Sequence, residues 1–460
     1  MRRFFYQRDG DDDLTLASYL PDTVCFRFVY VLRMFETEVE KRMDLGRIRE
    51  VTQALVAVVL ILWISADSAS AAADAAFQQW IASVWPEAQA LGVTRATFDS
   101  ATRGLEPDLS LPDLVIPGRI QAPPGQAEFV QTPADYLKES SFDHLAADGR
   151  KLLEQHRATL NRIEQEFGVP PGVVLAIWGR ETAFGSYKLP HDAIQVLATQ
   201  AYVGRRKDFF RNEFLNGLKM LQDGVPRTQM RSSWGGAVGL TQFLPSEFYK
   251  YGVDFDGDGR VDIWNSVPDA LASAAKQLAG KGWQRGKPWA YEVRVPANTD
   301  CTIADPDHLS PLADWLKRSF TLAYDRTPRV EDLSEQASLL LPAGIYGPGF
   351  LIFRNYYVIK DYNFSDLYVL FVGHLSDRIA DPRPFEKPWG QVVQLRTAQL
   401  EDMQKRLAAL GLYGDKLDGK AGMKTRLALG AYQKANALKL DCWPTAGVLA
   451  HMQAKLNSKP

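Results

Sequence analysis

Cysteine and histidine are scarce in this sequence of 460 residues. It contains 3 cysteines and 6 histidines, and none of them stands at the spacing of a zinc site. Phosphate-binding loops and the serine elbow of hydrolases are also absent. The charges nearly cancel, with 53 basic against 55 acidic residues, so no overall attraction to nucleic acid is expected. The 46% apolar content instead predicts an ordinary packed core.

One carboxylate has an unusual setting in the sequence. Residues 169–185 read VPPGVVLAIWGRETAFG, in which two prolines open a predicted helix and Gly185 is the expected terminator. Ile177, Trp178 and Glu181 lie three and four residues apart, so they share one helix face. Burial and the negative helix end both disfavour an ionised Glu181, as a general acid requires. The alternative is a solvated glutamate at a helix end.

A glycine-rich segment, SWGGAVGLTQFLP at residues 233–245, follows farther along the chain. Its three closely spaced glycines are expected to let the backbone approach a ligand. Ser233, Thr241 and Gln242 supply neutral hydrogen-bonding groups that suit sugar hydroxyl and acetamido groups. The segment therefore predicts one wall of a sugar-binding cleft, and the alternative is an ordinary glycine-rich turn before a helix.

These motifs and the later YNFSDLY segment resemble the membrane-bound lytic murein transglycosylase B family. The resemblance covers roughly residues 76–379. It implies a mainly α fold with a lysozyme-like catalytic domain. Residues 288–347 are less helical, and EVRVPA alternates like a strand, so we expect a small mixed subdomain there. The resemblance also implies an enzyme, a lyase that cleaves the glycan strands of peptidoglycan.

The resemblance assigns roles to individual residues. Glu181 matches the single catalytic acid/base of the family. The residues that match substrate-contacting positions are Ser233 and Gln242 in the cleft, Arg205 and Arg206 beside it, Tyr136 near the acid, and the distal pair Asn363 and Tyr368. Phe209 stands where some members carry a cleft tyrosine, so one hydroxyl is missing here.

A single acid implies a particular mechanism. Common glycosidases place two carboxylates across the scissile bond, and no second carboxylate here has a setting comparable to Glu181. In the family, the glutamate protonates the glycosidic oxygen and then accepts the proton of the muramyl C6 hydroxyl, which closes a 1,6-anhydro ring. Two alternatives remain open: a muramidase that uses water, and a wall-binding scaffold without catalysis.

Residues 254–269 resemble the start of a calcium loop. Oxygen ligands are expected from Asp254, Asp256, Asp258, the backbone carbonyl of Arg260, and Asp269. The usual glutamate at position twelve is replaced by Asn265, and the closing Asp269 comes one residue later than the family spacing. A bound Ca²⁺ is expected to be structural. The alternative is an Asx-rich turn that caps the helix near Pro268.

The N-terminal region resembles an export signal. Basic residues precede an apolar run at 54–64, and small residues follow it. We predict that residues 1–42 are a mis-annotated prefix, that Met43 starts translation, and that residues 43–73 are a cleaved signal peptide leading to the periplasm. No cysteine follows closely, so a lipid anchor is not expected. An uncleaved anchor with a cytoplasmic tail is the alternative.

The C-terminal region follows a proline-rich segment. We predict a catalytic domain at 74–380, a linker at 381–393, and a three-helix module at 394–457. Its first helix has Leu400, Met403 and Leu407 on one face, and its third helix begins near Thr445. The module resembles the small peptidoglycan-binding domain of wall enzymes. A generic helical tail is the alternative. Cys301 and Cys442 are free to form a bridge in an oxidising compartment, but the sequence does not show whether they meet. Expected partners are peptidoglycan strands and complexes of cell-wall synthesis or secretion.

Overall fold

The structure, a computed structural model, describes residues 75–116 and 127–457. The predicted prefix at 1–42 and signal peptide at 43–73 lie outside the described residues. Within the described ranges, no helix is both long enough and apolar enough to cross a membrane.

Helices dominate the described chain, as predicted. In chain order they are α1 (75–90), α2 (Arg95–Thr102), α3 (Ala127–Val130), α4 (Pro133–Tyr136), α5 (Glu139–Gln155), α6 (Arg157–Phe167), α7 (Pro171–Thr182), α8 (Ala193–Val203), α9 (Lys207–Gln222), α10 (Pro245–Tyr251), α11 (Val267–Gly280), α12 (Leu312–Lys317), α13 (Arg354–Lys360), α14 (Asp366–Ala380), α15 (Thr397–Ala409), α16 (Met423–Ala435) and α17 (Ala446–Asn457). Short 3₁₀ turns lie at Arg227–Gln229, Cys301–Ile303, Ala323–Asp325 and Val330–Asp332.

Strands are short and lie in two places. They are β1 (His191–Asp192), β2 (Arg231–Ser232), β3 (Ala290–Arg294), β4 (Ser310–Pro311), β5 (Thr321–Leu322), β6 (Gln336–Leu340), β7 (Pro342–Ile345) and β8 (Gly349–Ile352). β1 pairs with β2, and a five-stranded antiparallel sheet has the order β4-β6-β8-β3-β5. This sheet, with α12 packed beside it, is the small mixed subdomain expected near residues 288–347.

The helix α7 is enclosed by the main core. Val174 and Ile177 are fully buried, and every residue from Val173 to Gly179 is buried. Pro171 occupies the first turn, where a missing N–H costs no hydrogen bond. Helices α5, α6, α11 and α14 contact α7. Such a helix has little freedom to move, so its last turn is held in a fixed place.

The end of α7 differs from the prediction. The helix ends at Thr182 rather than continuing to Gly185, because Ala183 already adopts a left-handed conformation with φ 46°. Phe184 follows with φ 56°, and its ring packs edge-on against Trp178 with centroids 5.5 Å apart. The burial of Phe184 therefore offsets the backbone strain of a helix cap made without glycine.

A second core lies beside the first. It is built from the inward faces of α1, α2, α8 and α9, with Phe77, Phe98, Phe210 and Phe214 fully or almost fully buried. Helix α11 contributes to both cores, since Leu271 and Leu278 face the first and Ala270 and Ala274 the second. The two cores are thereby joined through one helix, with the candidate site near the end of α7.

The C-terminal module forms three helices, α15 to α17, as predicted. Leu400, Met403 and Leu407 are fully buried in its own small core, and the third helix begins at Ala446, next to the predicted Thr445. The apolar spacing on α15 was therefore a sound guide to its buried face.

The module is also docked firmly on the preceding domain. Cys301 and Cys442 form a disulfide across 141 residues of sequence, and Met423 of α16 reaches into the main core. The proline-rich segment 381–390 joins α14 to the module, and it packs as well, since the ring of Phe385 stacks 3.6 Å from that of His374. The module boundaries at 381–393 and 394–457 stay predictions.

Candidate active site

Helix α7 places Glu181 in its last turn, half-buried, and α14 provides its partner. The hydroxyl of Tyr368 donates a hydrogen bond of 2.5 Å to Oε1 of Glu181. Tyr368 is 1% exposed, and its burial together with the charge of Glu181 raises the pKa of the phenol well above its usual range. Tyr368 therefore remains a hydrogen-bond donor at every physiological pH.

Tyr362 is a second tyrosine at this place, and it was not predicted from the sequence. Its ring stacks on that of Tyr368 at 6.4 Å and 8°, and its hydroxyl donates a 2.5 Å hydrogen bond to the carbonyl of Thr241. Burial and the charge of Glu181 raise the pKa of Tyr362 as well. Tyr362 stands in the same DYNFSDLY segment as Tyr368, and this position was the sequence feature that could have identified it.

The glycine-rich segment does meet the end of α7. The hydroxyl of Thr182 donates a 2.7 Å hydrogen bond to the carbonyl of Leu240. Ser233 directly follows β2 and its N–H bonds to the carbonyl of Ala237 at 3.1 Å. Gln242 has φ 58° and its side-chain amide donates to the carbonyl of Gly239 at 3.1 Å. The structure thus brings the predicted cleft wall against the Glu181 helix.

The glycines of this segment also have a purpose that was not predicted. A Cβ at Gly236 would lie 2.2 Å from the Leu197 side chain, and one at Gly239 would lie 2.9 Å from Ile263. Both glycines are therefore needed for packing inside the protein, and Gly239 in addition lines a cavity beside α7. Of the three glycines, only Gly235 has open space where a Cβ would lie, since the atom nearest to that position is 3.9 Å away.

A cavity of about 530 Å³ lies beside the last turn of α7. Thr182 and Gly185 line it from the α7 side, and Gly239 and Leu240 line it from the glycine-rich segment. The rest of its lining consists of Tyr187, Lys188, Leu189, Pro190, Gln229, Arg231 and Trp264. Mixed polar and aromatic walls of this size suit a carbohydrate chain.

Tyr136 lies close to the candidate acid through Arg180. The guanidinium of Arg180 donates to the Tyr136 hydroxyl at 3.1 and 2.6 Å and lies 5.2 Å from the centres of the Tyr136 and Phe371 rings. Arg180 precedes Glu181 in α7, and its positive charge also acts across this cluster on Tyr368. Tyr136 therefore anchors the arginine beside Glu181.

The two predicted arginines between α8 and α9 make contacts of another kind. Arg205 forms an ion pair with Asp113 at 2.8 Å, and Arg206 lies over the rings of Phe209 and Phe210 at 5.0 Å. These contacts do not involve α7. Phe209, which stands in place of the family tyrosine, is exposed. The roles of both arginines stay predictions.

Asn363 lies in the turn between Tyr362 and α14. Its carbonyl accepts a 2.8 Å hydrogen bond from the N–H of Ser365, the residue that caps α14. This contact places Asn363 next to the tyrosine pair in the chain, and its predicted contact with substrate stays a prediction.

A second carboxylate, Glu247 of α10, has its charge within reach of Tyr362. Lys281 Nζ lies 3.3 Å from its Oε1, and both side chains are mostly buried. An ion pair of this kind neutralises Glu247, so it does not resemble the free base that activates water in an inverting glycosidase.

Three of the predicted metal ligands cluster. Oxygens of Asp254, Asp256 and Asp269 lie within 4.8 Å of one another, and Asp269 is fully buried. Among the residues that the structure describes, none of these three carboxylates takes part in an ion pair. The side chain of Asp258 is not part of this cluster and instead pairs with Arg260, whose Nε lies 3.2 Å from its Oδ2. The Arg260 carbonyl and Asp258 stay predicted ligands.

Backbone amides also contact the three carboxylates. Asp254 accepts hydrogen bonds from the N–H groups of Gly257, Asp258 and Gly259, so the predicted Asx-rich turn is present. The cap of α11, however, is Ser266, whose hydroxyl accepts from the N–H of Asp269. The turn and a cation site are compatible, because a carboxylate oxygen accepts more than one contact.

Comparison with known protein families gives two matches, one on each side of the proline-rich segment. The transglycosylase SLT domain family matches residues 76–377, and the peptidoglycan binding domain family matches residues 396–452. Membrane-bound lytic murein transglycosylase B of Escherichia coli strain K12 is 31% identical over 254 residues, which is 53% of this chain and 66%, just under two thirds, of that protein.

Solved structures give a broader match. SltB3 from Pseudomonas aeruginosa in complex with NAG-NAM-pentapeptide is 37% identical, with a TM-score of 0.73, over 82% of this chain and 99% of that chain. The complex of SltB3 with NAG-anhNAM-pentapeptide matches with the same values. The lysozyme-like fold and the resemblance stated above are thereby confirmed. The chain belongs to the transglycosylase SLT domain family and carries a peptidoglycan-binding module behind that domain.

Proposed function

We propose that this protein is a lytic transglycosylase that cleaves the bond between NAM and NAG in peptidoglycan. The observation that carries the proposal is the hydrogen bond from buried Tyr368 to Glu181 at the end of an enclosed helix, beside a cavity with mixed polar and aromatic walls. The complexes of SltB3 with NAG-NAM-pentapeptide and NAG-anhNAM-pentapeptide support this substrate and this product.

In the proposed mechanism Glu181 acts twice. Its carboxyl group first gives a proton to the glycosidic oxygen as the bond from that oxygen to C1 of NAM breaks. The resulting carboxylate then accepts the proton of the C6 hydroxyl, whose oxygen forms a bond to C1 and closes the 1,6-anhydro ring. No water enters, and the acid is regenerated. Tyr368 holds the carboxylate in place through both steps.

The surrounding residues would hold the strand during these steps. We propose that Ser233 and Gln242 bind sugar groups from the glycine-rich segment and that Asn363 contacts the strand near Tyr368. Tyr136 acts indirectly, through its hydrogen bonds to Arg180. Arg205 and Arg206 would contact the strand farther along, with Phe209 giving an apolar contact in place of a hydroxyl.

A hydrolytic muramidase is the second candidate, and Glu247 is the specific observation behind it. It is the other carboxylate whose charge acts on Tyr362, so it is the first group to test as a base for water. Its ion pair with Lys281 at 3.3 Å favours the transglycosylase instead. A pure wall-binding scaffold is less well supported, because a binder gains nothing from a half-buried acid with a buried donor.

The deciding experiment is the digestion of purified peptidoglycan sacculi followed by mass spectrometry of the products. Fragments that end in a 1,6-anhydro sugar, one water lighter than hydrolysis products, are expected. Reducing ends would establish the muramidase, and an absence of products would leave the scaffold. The Glu181→Gln variant is the matched control, since it should release no fragments and still sediment with sacculi.

We also propose that Asp254, Asp256 and Asp269 hold a structural Ca²⁺. Three carboxylates without a basic partner repel one another, and a hard divalent cation that prefers oxygen ligands removes this repulsion. When bound, the cation would fix the loop before α11. It has no part in the proton transfers of Glu181.

The remaining proposals concern location and anchoring. We propose that residues 43–73 direct export to the periplasm, where the substrate lies, and that translation starts at Met43. The module at 394–457 would bind the wall, which raises the concentration of strands near the cleft. Complexes with cell-wall synthesis or secretion proteins remain part of this proposal.

A further inference from the structure

A cavity of about 430 Å³ lies where the C-terminal module meets the domain that precedes it. Asp307, Lys360 and Phe364 line it from the preceding domain, and Asp415, Lys420 and Lys424 line it from the module. No step of the proposed mechanism uses this space. We call it the interdomain cavity.

The walls of the interdomain cavity are held together by strong contacts. Asp366 and Arg426 form an ion pair at 3.0 Å, and each side chain is only 8% exposed. Burial alone would raise the pKa of Asp366, but the charges of Lys360 and Arg426 outweigh it and hold that pKa well below its usual range. Together with the disulfide, these contacts make the cavity a permanent part of the fold.

The interdomain cavity lies close to the candidate active site along α14. Phe364 lines the cavity, and Tyr368, four residues later, donates its hydrogen bond to Glu181. Four residues span at most about 14 Å, which limits the separation between these two residues. An extended pentapeptide spans about 17 Å, so it is long enough to cover that separation.

The charges on the walls show what kind of ligand fits. Basic and acidic groups face each other, for example Lys424 Nζ and Asp415 at 3.8 Å, and both side chains are about half exposed, at 52% and 46%. Phe364 adds an apolar ring that is 75% exposed. A neutral glycan makes no use of such charges, and a polyanion would meet the aspartates. A short peptide with carboxylate and ammonium groups matches both signs.

We propose that the interdomain cavity binds the peptide stem of the strand whose glycan lies in the cleft. This inference rests on the proposed function, since it takes peptidoglycan as the substrate. It adds a determinant of specificity: strands with peptide stems are bound by two parts of the protein, and bare glycan strands by the cleft alone.

Turnover of two substrates tests the proposal. One substrate is a soluble glycan strand with pentapeptide stems, and the other is the same strand after an amidase has removed the peptides. Lys424→Gln and Phe364→Ala should each lower kcat/KM about tenfold on the first substrate and leave the second unchanged. Lys317→Gln, an exposed lysine on α12 that does not line the cavity, should change neither.

Binding of the free pentapeptide separates this proposal from the proposed activity. Wild-type protein should bind the peptide in a calorimetric titration, and Lys424→Gln should weaken that binding about tenfold. If the peptide binds but no strand is cleaved, the activity is wrong and the peptide site stands. Equal losses on both strands, or wild-type protein that does not bind the peptide, would overturn the peptide site whatever the activity.

Discussion

The hydroxyl of Tyr368 donates a hydrogen bond to Oε1 of Glu181, although 187 positions of sequence separate the two residues. The contact joins the end of α7 to the first turn of α14, with Tyr368 almost fully buried and Glu181 half-buried. The candidate acid is therefore oriented by a buried group on another helix, which is the arrangement that precise proton transfer needs.

Replacing Tyr368 by phenylalanine should lower kcat on soluble glycan strands by about ten- to a hundredfold, because Glu181 loses the group that orients it. The loss of a buried hydrogen bond should also reduce the free energy of unfolding by about 1–2 kcal/mol. Tyr362→Phe is the matched control, since its hydroxyl bonds to the Thr241 carbonyl. A Tyr368→Phe protein with wild-type kcat would remove this tyrosine from the mechanism.

Glu247→Gln should leave the anhydro product and its rate of release within about twofold of wild type, because the proposed mechanism needs one carboxylate only. Mass spectrometry of the products together with initial rates checks this. A loss of activity as large as that of Glu181→Gln, in a variant that keeps the wild-type Tm, would support the hydrolytic mechanism.

Calcium should stabilise the protein through the loop before α11. After treatment with a chelator, addition of Ca²⁺ at a hundred times its Kd should raise the free energy of unfolding by about 2.7 kcal/mol, and Mg²⁺ should do less. The gain should be lost in Asp256→Asn, an exposed member of the cluster, and kept in Asp314→Asn on α12. Equal gains in all three proteins would contradict the proposed site.

The disulfide between Cys301 and Cys442 closes a long loop, with 141 residues of separation. The double variant Cys301→Ser and Cys442→Ser should lose about 3–5 kcal/mol of unfolding free energy, and a reducing agent should have the same effect on the wild type. Chemical denaturation under oxidising and reducing conditions measures the difference. Curves that coincide under both conditions would mean that the two cysteines are not joined in solution.

Acid should destabilise the protein through His374. Burial, aided by the charges of Arg378 and Arg326, lowers the pKa of His374 from 6.5 to about 3. The folded state thus favours the neutral ring, so its contribution is complete above about pH 6.5 and is lost as the pH falls toward 3.

The test is the pH dependence of Tm for His374→Phe, which keeps a ring stacked on Phe385. This variant should lose less stability between pH 7 and pH 4 than the wild type. His144→Gln, at an exposed position, serves as the control. Parallel Tm curves for wild type and His374→Phe would show that another group causes the acid sensitivity.

Local sequence patterns predicted a large part of this structure. The helix around Glu181, the strand in EVRV and the three helices of the module all follow from apolar spacing and from turn residues. The helix around Glu181 and the three helices of the module are predicted from residues that lie within a few helical turns of each other. The distal Tyr368 was reached only through a family resemblance, because no local pattern links α7 to α14.

Features that depend on distant contacts were not predicted. The cap at Ala183 needs Phe184 to pack on Trp178, and propensity alone favours the glycine two residues later. Docking of the module depends on the buried Asp366–Arg426 pair, which joins positions sixty residues apart. Neither contact leaves a periodic signal, so spacing arguments do not detect them.

The rigid attachment of the module has a mechanical consequence. A module on a free tether would let the catalytic cleft sweep a broad volume around its anchoring point. Here a disulfide and a buried ion pair fix the distance from anchor to cleft. When the module is bound to the wall, cleavage would then occur at a constant distance from the point of binding. The length of this fixed connection would thus select which bonds are cleaved.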